Sequence, residues 1–213
     1  MAVLRKAASG VRWLLKLEIG IWRSLFLWVT RRVPGLGPGA HAFSYARQVS
    51  PIIGAFIFVS LVELPVVHLL LPWEAVRIGV LVISVWGLLW MVGLLASMKV
   101  FPHLIDDAGL RIRYGTTTDI RIPWEAVASV TARRRSVPTG RHVHLEHGDD
   151  GATVANVAVM KQTRVDVVLR RPTAIALPDG TEELTGVRFY VDDAGGFVAT
   201  ARERLADREP ARR

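Results

Sequence analysis

Glu63, Pro65 and His68 lie together inside an apolar run, PIIGAFIFVSLVELPVVHLLL, that extends from residue 51 to residue 71. An acid and an imidazole in such a setting can relay a proton, supply part of a metal's ligand set, or tie helices together by hydrogen bonds. An ionised acid at the centre of a bilayer costs about 2.5–3.5 kcal/mol even on permissive scales, so Glu63 is expected to be neutral or well paired. Ser84, at similar depth on a second apolar run, is its expected hydrogen-bond partner. On an ideal helix Glu63 and His68 are about 140° apart. Pro65 removes a backbone donor and is expected to kink the helix, which would swing the two side chains towards each other. Two helices cannot enclose a water-lined path, and one Glu–His pair is too few ligands for a closed metal site. A structural tie between helices or protomers is therefore the favoured role, and catalysis or proton-coupled transport is the alternative, which requires an oligomer to complete the site.

The other chemistry-bearing groups lie far along the chain. Arg133, Arg134 and Arg135, with Arg141 nearby, form a basic cluster suited to an anionic surface, or to a solvated strand end. They have no aromatic interleaving, so nucleic acid is not the expected partner. His142, His144 and His147 precede Asp149 and Asp150, and alternate strand positions put the first two histidines on one face. The turn-like EHGDDG that follows favours an exposed loop over a metal site. No phosphate-binding glycine loop, serine elbow or HExxH helix occurs. No catalytic residue, metal or cofactor is assigned.

These groups must be positioned by two unlike halves of a 213-residue chain. Residues 51–71 and 78–98 each supply about 20 apolar residues, enough for a helix to cross a hydrocarbon core. The connecting segment from Pro72 to Arg77 is short and makes them antiparallel neighbours, a transmembrane hairpin in which Gly79, Gly87 and Gly93 allow close approach. The chain has no cysteine, which excludes disulfides, thiolate metal sites and cysteine nucleophiles.

Net charge is +8, and it is placed unevenly: residues 1–50 hold eight basic residues against one acid, Glu18. Beside an apolar hairpin this excess points to anionic lipid and to cytoplasmic termini. Residues 1–32 read as an amphipathic interfacial helix. Arg5, Arg12, Lys16 and Arg23 form one stripe, and Trp13, Trp22 and Trp28 sit at headgroup level. A helix packed on the soluble domain rewards the same pattern. Glu18 falls on the apolar face and needs a partner. Residues 33–50, opening VPGLGPG, read as a linker.

After Pro102 short alternating segments replace the apolar runs. Leu110, Ile112 and Tyr114 alternate with arginines, then Ile120 and Ile122 do the same after a turn, which predicts a hairpin. Further strands are expected near 127–131, 143–145, 154–159, 165–169, 174–177 and 187–191. A final helix capped by Asp192 or Asp193 shows Phe197, Ala201 and Leu205 on one face. Trp124 reads as a packing anchor.

The run IDDAGLRIRYG at 105–115, followed by IPWEAVASV at 122–130, resembles the opening strands of bacterial pleckstrin-homology-like domains. The resemblance implies a C-terminal barrel or sandwich over 101–208, capped by one helix and preceded by a transmembrane hairpin, with residues 209–213 a tail. It also implies a membrane-tethered binding or assembly module without catalytic residues. The loop Gly115–Asp119 lacks the lysines by which eukaryotic relatives bind phosphoinositides. The expected protein is thus an α+β, multi-pass protein of the bacterial plasma membrane, an origin also suggested by the arginine and alanine bias. Its expected partners are anionic lipid and a protein, or a second copy of itself.

Overall fold

A computed structural model describes residues 2–138, 142–148 and 151–208, with side chains described from residue 14 onward. The chain divides into two compact units, one formed by residues 1–33 and 49–100, the other by residues 34–48 and 101–213.

The first unit is helical. It comprises α1 (Ala2–Val29), α2 (Ser50–Leu70) and α3 (Glu74–Val100). Pro51 opens α2 at a position where a missing N–H costs nothing, and the helix runs on through Pro65. Both α2 and α3 are long and apolar enough to cross a membrane. In a soluble protein such helices would form the core, yet only 0% and 6% of their most apolar windows is buried. Water is thus a poor solvent for these exposed faces, and hydrocarbon a good one.

α1 packs along α3. Gly20, Ile21 and Ser24 form its buried strip, and the Ser24 hydroxyl donates back to the Gly20 carbonyl at 2.6 Å, so that no polar hydrogen is left bare in the contact. The facing residue is Gly93, where an added Cβ would stand 2.6 Å from Ile21 Cγ2. Gly93 therefore admits α1, whereas added Cβ atoms at Gly79 and Gly87 would meet nothing within 4 Å. The N-terminal helix packs on α3, a contact that its amphipathic pattern did not indicate. It is part of the helical unit, and still leaves Leu14, Leu15, Ile19, Phe26 and Val29 exposed.

Among its described residues the second unit holds nine strands, β1 (His41–Phe43), β2 (His103–Ile105), β3 (Gly109–Tyr114), β4 (Thr118–Pro123), β5 (Val127–Ser136), β6 (Val143–His147), β7 (Thr153–Val157), β8 (Gln162–Leu177) and β9 (Gly180–Phe189), followed by α4 (Ala194–Ala206). They make two sheets, β1-β2-β3-β4 and β5-β8-β9-β7-β6, and no closed barrel forms among the described residues. The ladder stops where a 3-10 turn, Trp124–Ala126, separates β4 from β5. Both sheets feed one core, with Leu110, Ile112, Ile120 and Ile122 from the first meeting Val165, Val167, Val187 and Phe189 from the second.

The predicted hairpin is β3–β4, with Ile112 opposite Ile120 and Leu110 opposite Ile122. Two expected strands, 165–169 and 174–177, are one long β8 interrupted by a register shift between Val168 and Thr173. Pro172, which cannot donate to the ladder, lies in that gap. β7 pairs with β9 in parallel, an exception in an otherwise antiparallel unit. Asp193 caps α4 by accepting from the Gly196 N–H at 2.9 Å, and Phe197 and Ala201 are buried.

Residues 34–48, expected to be a linker, belong to this unit. β1 pairs with β2, with Ala42 opposite Leu104. The Pro34 carbonyl accepts from Arg113 Nη1 at 2.9 Å, and the Gly39 carbonyl from Arg204 Nη2 at 2.7 Å. Gly35, at φ +80, brings its Cα so close to Arg111 and Arg113 that an added Cβ would lie 2.7 Å and 2.8 Å from their terminal nitrogens. Proline and glycine here shape a docked segment.

Candidate functional site

Glu63, Pro65 and His68 are exposed on α2, while Ser84 is half-buried on α3. No hydrogen bond or ion pair among the described residues joins Glu63 to His68 or to Ser84. The local geometry therefore assembles no Glu–His or Glu–Ser pair, and all three groups remain free to meet a neighbour outside this chain.

The carboxylate that does find partners is Glu18. Its Oε1 accepts from Trp22 Nε1 at 2.8 Å and its Oε2 from Trp90 Nε1 at 3.0 Å. Trp22 is one helical turn along α1, and Trp90 lies on α3. One acid thus satisfies two indole donors and ties the helices together, which explains its place on an apolar face. Sequence reasoning flagged Glu18 and missed Trp90, because nothing in the α3 pattern reveals which of its faces α1 covers.

Of the interfacial residues, Lys16, Arg23, Trp22 and Trp28 are exposed, as a lipid-facing role requires. The side chains of Arg5, Arg12 and Trp13 lie outside the described set, and so does Arg141 of the second cluster. Arg133 and Arg134 are exposed at an irregularity in the β5–β8 ladder between Ala132 and Arg135. Arg135 is absorbed by the fold, because its Nε donates to Asp166 Oδ2 at 3.0 Å. The same carboxylate lies 4.0 Å from Arg188, which in turn pairs with Glu146 at 2.7 Å. The Arg188 guanidinium, helped by Asn156, holds the Glu146 carboxyl below its ordinary range. Of the described members of the cluster, Arg133 and Arg134 are the ones left in solvent.

The histidines of the expected loop separate. His142 stacks on Tyr114 at 4.3 Å between ring centroids, and His147 Nδ1 lies 3.2 Å from Thr153 Oγ1. Among the described residues no three His, Asp or Glu side chains form a metal-binding group. Asp149 and Asp150 fall outside that set.

A buried polar centre that the sequence did not signal lies between β2, β3 and the docked 34–48 segment. The Arg113 N–H donates to His103 Nδ1 at 3.1 Å, which makes Nδ1 the acceptor and leaves the proton on Nε2, donated to the Tyr190 carbonyl at 2.8 Å. His103 is thus held neutral in one tautomer, and burial lowers its pKa to about 4. Tyr45 lies 4.8 Å from the His103 ring and accepts from the Gly115 N–H at 2.6 Å; burial pushes its phenol upward. Arg113 is 2% exposed, and burial lowers it to about 10, so it remains charged at neutral pH. Rings run in contact from His142 through Tyr114, Tyr45, His103, Phe189 and Phe197 to Phe43. The Nε and Nη2 of Arg113 are its buried side-chain atoms without a partner among the described residues. This centre is a structural spine.

The pH response follows from His103. The unfolded chain binds a proton near pH 6.5 while the folded unit resists until about pH 4, so stability is complete above 6.5 and falls between those values. By pH 5 the loss should reach about 2 kcal/mol, from 1.36 kcal/mol per pH unit. Equilibrium unfolding of the detergent-solubilised chain should show this slope, and His103→Gln should flatten it. A ring proton NMR titration with a midpoint near 6.5 would sink the assignment. Asp119, lowered by its bonds to Arg111, loses its contribution at lower pH, below its ordinary value, so the two effects separate.

Compared with known protein families, curated proteins and solved structures, the chain matches none.

Proposed function

We propose that this protein is a non-catalytic binding or assembly module, anchored in a bacterial plasma membrane by α2 and α3 as a hairpin, with both termini cytoplasmic. The sheet unit acts as a pleckstrin-homology-like domain that engages an acidic protein surface or anionic lipid at the inner face. The observation that carries this reading is the pairing of two apolar helices, bare on nearly every face, with a sheet unit that has a complete core of its own. A unit with a core of its own suits a ligand-engaging domain held near a surface. Of the described members of the arginine cluster, Arg133 and Arg134 are the cations left for a ligand, since Arg135 is committed to Asp166.

Arg133→Glu with Arg134→Glu should leave unfolding free energy within about 0.5 kcal/mol of the parent, because exposed charges away from networks contribute little. The same pair should cut crosslinking to acidic partners, or binding to phosphatidylglycerol vesicles, by about tenfold or more, as two surface cations near an anionic membrane are worth about 1 kcal/mol each. Unchanged binding in both assays would remove this patch from the function. A reporter active only in the cytoplasm, fused after Arg213, should give signal; a periplasm-only signal overturns the orientation. Glu63→Gln should leave the cellular phenotype intact, and loss of transport or turnover with assembly unchanged would favour the catalytic alternative.

A further inference from the structure

A cavity of about 480 Å³ opens in the helical unit where α1 and α3 end together. Its lining includes the apolar residues Leu27, Trp28 and Val100 and the basic residues Arg31, Arg32 and Lys99. Among the described residues no acidic one lines it. Three cations over an apolar floor complement an amphiphile with a negative head, and a volume of this size accommodates a headgroup with its first methylenes. The place matters equally, for Lys99 and Val100 are the last residues of an apolar helix long enough to cross a membrane, where hydrocarbon gives way to headgroups.

The backbone adds an independent sign. α1 ends with the Arg32 N–H bonded to the Leu27 carbonyl at 2.9 Å and the Arg31 N–H to the Trp28 carbonyl at 3.1 Å, the paired bonds of a helix cap that ordinarily has glycine at its left-handed position. Here that position is Arg31, at φ +54. A side chain is carried where the backbone favours none, and the residue that carries it lines the cavity.

We propose that this cavity is a binding site for a single anionic phospholipid, with Arg31, Arg32 and Lys99 gathering the headgroup phosphate and the Leu27–Trp28–Val100 wall receiving the start of an acyl chain. The proposal rests on the membrane reading above.

Native mass spectrometry of the full chain, released from mixed phosphatidylglycerol and phosphatidylcholine nanodiscs, reads it directly. The parent should retain one phosphatidylglycerol in preference to phosphatidylcholine. Arg31→Gly should lower that preference roughly fivefold, as expected for one cation removed at an anionic surface, while the melting temperature holds or rises because strain is relieved. Arg32→Gln with Lys99→Gln should lower it further. Full preference in the triple variant overturns the site, as does binding of free glycerol 3-phosphate in detergent with the same cation dependence, which would make the ligand a soluble phosphate. Resistance to carbonate extraction, measured in parallel, tests membrane insertion itself. Its loss defeats the underlying reading, whereas retained insertion with no lipid preference defeats the cavity alone.

Discussion

Gly109→Ala is expected to abolish stable folding of the sheet unit while leaving membrane insertion of the helices intact. Gly109 sits opposite Pro123 at the start of β3, and a Cβ there would lie 2.1 Å from the Ile122 carbonyl oxygen and 2.9 Å from the carbon atoms of Ile122 and Pro123. The obstacle is backbone, so no side-chain rotation relieves it and the β3–β4 ladder itself must move. That ladder presents Leu110, Ile112, Ile120 and Ile122 to the core, and the turn before it is tied down on both sides. Asp106 Oδ1 accepts from the N–H groups of Ala108 and Gly109 at 2.8 Å and 3.0 Å, and buried Trp124 donates to the Asp106 carbonyl at 2.9 Å. Displacing such a strand combines overpacking with lost ladder bonds and should cost about 4 kcal/mol, at the far end of the usual range for one substitution. Limited proteolysis of the full chain should then expose Arg111 and Arg113 to trypsin, with carbonate-resistant membrane association preserved. A variant that melts within a few degrees of the parent, with the same tryptic pattern, would show that the strand has room to yield.

Glu18→Ala is expected to loosen α1 from α3 by about 1–3 kcal/mol, because the half-buried Trp90 N–H loses its acceptor across the contact and an unmet buried donor costs about that much. Glu18→Gln keeps one carbonyl acceptor and should cost less. Trp90→Phe removes a donor together with its need for a partner and should be milder than Glu18→Ala, as should Trp22→Phe. A double-mutant cycle between Glu18 and Trp90 reads the coupling, which should exceed about 0.5 kcal/mol, the level at which neighbouring residues depart from additivity. Tryptophan fluorescence and hydrogen exchange along residues 14–29 supply the signal. An additive cycle, or unchanged protection of α1, would reduce the arrangement to incidental contact. The prediction separates α1 from a free interfacial helix, since a helix held only by lipid would not depend on a tryptophan of α3.

These two sites differ in how far they could be read from the chain. Gly109 precedes an alternating segment, and the alternation alone places β3 and β4, because a period of two with turn residues between the runs has one local solution. The same holds for the buried face of α4, specified by the spacing of Phe197 and Ala201, whereas the choice of Asp193 over Asp192 as its cap was made by the fold. Glu18 announces a missing partner without naming it. Trp90 is 72 residues away, and an indole in an apolar helix looks the same whether it faces lipid or a carboxylate.

Arg133, Arg134 and Arg135 teach the same lesson in reverse. As a run they look equivalent, yet a ladder irregularity leaves two in solvent and hands the third to Asp166, whose position depends on β8 lying beside β5. His103 is more extreme. A histidine following Phe101-Pro102 carries no local mark of burial, and its tautomer is set by Arg113 on one side and Tyr190 on the other.

Local pattern was thus sufficient wherever the information lies within one element: two helices of membrane-crossing length, the uneven charge of the first 50 residues, the β3–β4 hairpin and the capped final helix. Long-range pairing settled the remainder. It drew residues 41–43 into a sheet with residues 103–105, divided the strands between two sheets, set β7 parallel to β9 and placed α1 on α3 through Gly93 and Glu18. Hydrophobic periodicity reports which face of an element is apolar; it is silent on which distant element will cover that face, because many partners bury the same area with nearly the same free energy and only packing and hydrogen-bond geometry tell them apart.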